Sequence, residues 1–197
     1  MKISDIINLS GSGFAEENNQ FVYISDSLGS SVIFDTLKKM EKTGTTEEKL
    51  VAPKFAGLSR TIYMNANQLL LIELGRIDGP KAGQDKSSWL SEYPCHDNLG
   101  GLRGFVETRS KSGIAEQELK VIAFTDPNDA LSYYLTTRFK ENCEKNGNIR
   151  IVNVELTNAE WNWLFVFAHP GKAHASGFKE NDRAIDILVN GCCNLTK

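Results

Sequence analysis

Three shortages narrow what this chain can do. Cysteine is scarce: Cys95, Cys143, Cys192 and Cys193 contain no C-x-x-C pair, and two of them are adjacent. Neighbouring cysteines seldom bridge each other, so neither a disulfide framework nor a zinc site is expected. Histidine is scarcer still, with His96, His169 and His174 and no H-E-x-x-H, which argues against a zinc hydrolase. Charge of one sign never accumulates: the formal net charge is -3, and no block of about five or six like charges appears. No nucleic-acid partner and no polybasic membrane contact is therefore expected. Long apolar runs are missing as well. Residues 69–72 and 164–168 are among the longest, far below the roughly 18 residues of a spanning helix. The opening "MKISDIINLSGSGF" is broken by Ser4, Asp5 and Asn8 and has no apolar core of a secretory signal, so a cytoplasmic setting is expected. The "GSG" at 11–13 lacks the continuation of a P-loop or a dinucleotide fingerprint, and no cofactor is expected.

What is present fits one globular domain: 197 residues, 41% hydrophobic and 24% charged. Strand-like and helix-like segments alternate, which predicts an α/β fold with a mostly parallel sheet and flanking helices. Residues 21–25 read as a strand buried on both faces, because Phe21, Val22, Tyr23 and Ile24 run without a polar break. From Leu28 the spacing of Val32, Ile33, Leu37 and Met40 predicts a helix that ends before Gly44. "TIYMNAN" reads as a second strand, followed by "QLLLIELG" as a short helix or turn. Residues 76–113 are rich in glycine and show no period, so they read as a surface insertion. "LKVIAF" is a third strand stopping on "TDPND", "ALSYYLTTRFKENCEKNG" a helix, and "NIRIVNVELT" a fourth strand. Alternating Trp161, Trp163, Phe165 and Phe167 suggest an extended segment with one apolar face, core or pocket wall. "NDRAIDILVNG" closes the chain as a helix with Asn181 or Asp182 as its N-cap and Gly191 as its C-cap.

The sharpest feature is "FVYISDSLGSSVIFDTL", a strand that turns into a helix at Ser27. A serine at the C-terminal end of a strand in an open α/β sheet stands where such sheets gather their sites. The turn would present its hydroxyl clear of the sheet, beside the first amides of the helix. "SDSLGS" on a strand-turn-helix resembles the nucleophile elbow of the α/β-hydrolase superfamily, usually written G-x-S-x-G, with Ser25 where the first glycine stands. Two further parts follow in the family's chain order. "VIAFTDPNDALSYYL" sets Asp126 and Asp129 after a strand, and "AHPGKAHASGFKENDRAIDIL" sets His169 and His174 before the last helix.

The resemblance implies a serine hydrolase acting on a carboxylic ester, esterase- or lipase-like, through Ser27, an aspartate and a histidine, with an acyl-enzyme intermediate. It implies Leu28 N–H as one oxyanion donor. Asp129 is preferred over Asp126 because Ala130-Leu131 follow it, whereas Asp126 can cap the turn over Pro127. His174 is preferred over His169 because "ASGF" and the last helix follow it. Each residue alone also has a plain structural role: Ser27 as a helix N-cap, the aspartates as turn formers, the histidines as polar loop residues. The family carries several strands before its elbow and this chain supplies about twenty residues there. A shortened fold lacking most N-terminal strands is thus implied, with self-association or an N-terminal partner chain at the first strand. The alternative is a catalytically degenerate or fragmentary relative that acts as a binding or interaction module without turnover. The expected substrate is a small-molecule or lipid ester.

Overall fold

A computed structural model of the chain describes residues 20–69, 100–113, 117–127, 129, 131–135, 148–156, 174 and 181–191. Its elements are β1 (Phe21–Asp26), α1 (Gly29–Thr43), α2 (Thr46–Leu58), β2 (Ser59–Asn65), α3 (Gly100–Ser110), β3 (Leu119–Thr125), β4 (Ile149–Glu155) and α4 (Asp182–Asn190). The four strands form one sheet in the order β1-β2-β3-β4, and every neighbouring pair is parallel. This is a small α/β fold. With all strands parallel, every C-terminal strand end lies along the same edge, so loops after β1, β3 and β4 can meet there.

The two faces of the sheet are covered differently. On one, Ile62, Met64, Val121, Ala123 and Ile151 pack against Phe34 and Leu37 of α1, Phe55 of α2, and Leu102 and Phe105 of α3. Gly101 lets α3 close on α1, since a Cβ there would lie 3.1 Å from Phe34 Cβ. On the other face Tyr63, Ile122, Phe124 and Val154 pack against Ala184 of α4, with Ile187 and Leu188 alongside. Val22 and Ile24 share that second face through their pairing with Thr61 and Tyr63, yet stay 55% and 60% exposed. The expectation that β1 is buried on both faces is therefore corrected. Lying first in the strand order, β1 buries only Ser25 among its own residues, with Phe21 and Tyr23 half-buried on the helix side.

Two helices depart from the expectations. α2 was not anticipated, because Pro53 interrupts it and its apolar residues are weakly sided. Its start was nevertheless written in the sequence. Thr45 accepts from Glu48 N–H while the Glu48 carboxylate accepts from Thr45 N–H, a full capping box. The expected surface insertion at 76–113 is corrected at its C-terminal end, where α3 buries Leu102 and Phe105 in the main core. Residues 76–99, the "GSG" turn, the aromatic run at 161–167 and the four cysteines lie outside the described residues. Residues 131–135 form no helix, contrary to the expected helix starting there. α4 matches expectation, with Asn181 accepting from Ala184 N–H and Gly191 at φ 82°. No helix among the described residues is long and apolar enough to cross a membrane.

Candidate active site

The corner after β1 is held in an unfavourable backbone region. Ser27 has φ 52°, a left-handed conformation that costs a non-glycine residue roughly 1–2 kcal/mol. Two contacts to the neighbouring strand secure the corner. Ser27 N–H donates to Asn65 O at 3.0 Å, and Asn65 Nδ2 donates to Asp26 Oδ1 at 2.7 Å. α1 starts on Leu28 without any side-chain cap, so the Ser27 hydroxyl does not serve as an N-cap. The first amides of α1, beginning at Leu28, have no intrahelical carbonyl to donate to and sit at the positive end of the helix dipole.

Ser27 Oγ lies 3.1 Å from His174 Nε2. On the far side of the ring, His174 Nδ1 lies 2.8 Å from Asp129 Oδ2. A carboxylate only accepts, so the ring proton belongs on Nδ1, leaving Nε2 of the neutral imidazole to accept from the serine hydroxyl. Asp129 is itself fully directed. Its Oδ1 accepts from Leu131 N–H at 2.9 Å, its backbone N–H donates to Asp126 O, and its side chain is 2% exposed. His174 is partly open, its side chain 24% exposed, so the line of three groups runs from a buried carboxylate to an accessible hydroxyl.

The structure thus brings together Ser27, Asp129 and His174 from the preferred set, with Leu28 beside them. Asp126 is buried at the end of β3 and contributes its backbone carbonyl to the turn carrying Asp129. His169 lies outside the described residues. Among the described residues no cluster of histidine, cysteine and carboxylate groups could hold a metal ion.

Two asparagines that the sequence reading passed over set the position of the acid. Asn67, fully buried, donates to Tyr133 O at 2.9 Å and accepts from Tyr133 N–H through its own backbone carbonyl. Asn153 on β4 accepts from Leu135 N–H at 3.0 Å and donates to Leu135 O at 2.8 Å. The segment after Asp129 is thereby laid out straight across the strand ends. Its backbone groups are taken by the two asparagines, through side chains and the Asn67 carbonyl, instead of a helix ladder, which accounts for the missing helix at 131–135. The available signal was a polar residue facing the interior of an apolar strand, Asn153 in "IRIVNVE", and two asparagines closing "TIYMNAN".

Searches against family models, curated proteins and solved structures give no match to this chain.

Proposed function

We propose that the chain is a serine hydrolase of α/β-hydrolase type that cleaves carboxylic esters. The observation that carries the proposal is the continuous hydrogen-bonded line from Asp129 through His174 to Ser27, ending on a strained turn at a helix start. In the first half-reaction Ser27 Oγ attacks the ester carbonyl carbon while its proton passes to His174 Nε2. Asp129 holds the ring and stabilises the imidazolium. The tetrahedral oxyanion faces Leu28 N–H, a contribution worth about 10²- to 10³-fold per donor in comparable sites. The carbon–oxygen bond to the alcohol then breaks and His174 returns the proton to the leaving oxygen. In the second half-reaction His174 deprotonates water, which attacks the acyl carbon; the bond from that carbon to Ser27 Oγ breaks, His174 Nε2 returns the proton to Ser27 Oγ, and the carboxylic acid leaves.

The chain order supports the same reading, since nucleophile, acid and base follow three strand ends of one parallel sheet. Leu28 and Val32 are exposed four positions apart on one helix face, and they give the serine an apolar neighbour suited to a lipid or small apolar ester. Exposed Val22 and Ile24 on β1, the first strand of the described order, favour self-association or pairing with a further chain there. Sedimentation over a range of concentrations tests that part, and a monomer at every concentration contradicts it.

Turnover of p-nitrophenyl acetate and longer acyl homologues tests the chemistry. The parent chain should hydrolyse them and Ser27→Ala should not, with both chains equally folded by circular dichroism. Equal rates in the two would refute Ser27 as nucleophile. A parent that binds the esters without turnover would instead support a binding module.

A further inference from the structure

The position before the nucleophile turn holds Ser25 where the resembled motif has glycine, and the structure gives that serine a use. Ser25 lies near the end of β1 with 5% exposure, and Ser30 lies in the first turn of α1 with 1% exposure. Their hydroxyl oxygens are 2.7 Å apart. Ser25 Oγ also donates to Tyr63 O on β2 at 3.1 Å. A hydroxyl carries one proton, so with that of Ser25 directed at the Tyr63 carbonyl, Ser30 donates into Ser25 Oγ. The result is a directed relay from α1 through Ser25 to β2.

This relay brackets Ser27. It joins the two residues that flank the four-residue turn and anchors both to the neighbouring strand, while Ser27 N–H to Asn65 O anchors the turn from within. α1 has no side-chain cap of its own, and Ser27 sits at φ 52°, so the strained turn depends on its anchors to β2, of which the Ser25 relay is one. Gly29 completes the fit: a Cβ built there would lie 3.4 Å from Ser25 Cβ, ordinary contact with Ser25 filling the space above it. A glycine at 25 would remove that filling and leave the buried Ser30 hydroxyl without its acceptor, at a cost comparable to an unsatisfied buried polar group.

We propose that Ser25 is a positioning residue for the reaction. Through Ser30 and Tyr63 O it holds the left-handed turn so that Ser27 Oγ stays on His174 and the Leu28 and Gly29 amides stay aimed at one point. The inference rests on the hydrolase reading of Ser27, and it predicts that placing glycine at position 25 harms the site instead of improving it.

The test compares the parent with Ser25→Ala, Ser25→Gly, Ser30→Ala and the Ser25→Ala/Ser30→Ala pair, in p-nitrophenyl acetate turnover and in amide hydrogen exchange. Losing both hydrogen bonds of the Ser25 hydroxyl should lower kcat about tenfold in Ser25→Ala with KM within about twofold. Ser25→Gly should be slower still, and the double variant about as slow as Ser25→Ala, because the two changes remove one shared contact. In the same variants the amides of Ser27 and Ser31, which donate to Asn65 O and Leu28 O, should exchange about tenfold faster, while those of Val121 and Ile122 in β3 keep their rates. A kcat for Ser25→Ala equal to the parent's, or a faster Ser25→Gly, overturns the proposal. If the parent itself neither hydrolyses esters nor reacts with a fluorophosphonate, the hydrolase reading fails, and the exchange data then decide the relay alone. Unchanged exchange at Ser27 and Ser31 would overturn it.

Discussion

His174 Nε2 stands 3.1 Å from Ser27 Oγ although 147 positions of sequence separate the two residues. Only the parallel sheet makes that contact available, because it carries the ends of β1 and β4 to the same edge. The hydroxyl gains an acceptor, and the ring gains a direction from Asp129 on its other side. The three groups form one hydrogen-bonded line, whereas a lone serine at a helix start would be ordinary.

The choice between the two aspartates is open to a direct comparison. Asp129→Asn keeps the shape but offers an amide where His174 Nδ1–H needs a carboxylate. Its kcat should fall on the order of 10³- to 10⁴-fold, as expected when the ring loses its orienting carboxylate. Asp126→Asn leaves the backbone carbonyl that accepts from Asp129 N–H and should lose far less. Steady-state kinetics on one ester substrate measures both. A larger loss at Asp126 would exchange their roles.

The strain at Ser27 makes a prediction about stability. Ser27→Gly removes the Cβ that makes φ 52° costly and should raise stability by about 1 kcal/mol relative to Ser27→Ala. Urea midpoints of the two variants provide the measurement. Both variants should be inactive, so stability and activity would move in opposite senses at this position. Equal midpoints would show that the turn is unstrained.

Acid stability should depend on a group far from the site. Glu41 on α1 accepts from Thr108 and Lys111 at the end of α3, and these hydrogen bonds hold its carboxyl below its usual 4.5. A carboxylate whose folded value is depressed stabilises fully above its unfolded value and loses that contribution as pH falls through the folded one. Glu41→Gln should therefore lower the urea midpoint near neutrality and weaken its decline as the pH falls below the usual carboxyl value of 4.5. Parallel midpoint curves for parent and variant would contradict this, as would an effect unchanged in high salt.

Much of the architecture was legible because the signals were local. Continuous apolar runs marked β2 and β3, the spacing from Leu28 to Met40 marked α1, and Asn181 with Gly191 marked both ends of α4. The candidate site was legible for a different reason: chain order survives folding, and three polar residues after three strands converge when the strands are parallel. What escaped the sequence depended on tertiary partners. α3 has little amphipathic pattern of its own and is fixed by Phe34 packing on Gly101 and Phe105. Residues 131–135 have helix-like composition, but Asn67 and Asn153 bond their backbone first. The exposure of β1 was equally hidden, because a strand's own residues do not say whether a helix covers its second face.

The central claim is that Ser27 is a nucleophile activated by His174 and Asp129. Intact-protein mass after incubation with a fluorophosphonate tests it most directly, because the reagent phosphonylates an activated serine without requiring the natural substrate. The account predicts one adduct on the parent chain, mapped to Ser27 by peptide sequencing, and none on Ser27→Ala, with labelling strongly slowed in Asp129→Asn. An unmodified parent, or an adduct that persists in Ser27→Ala, would contradict it.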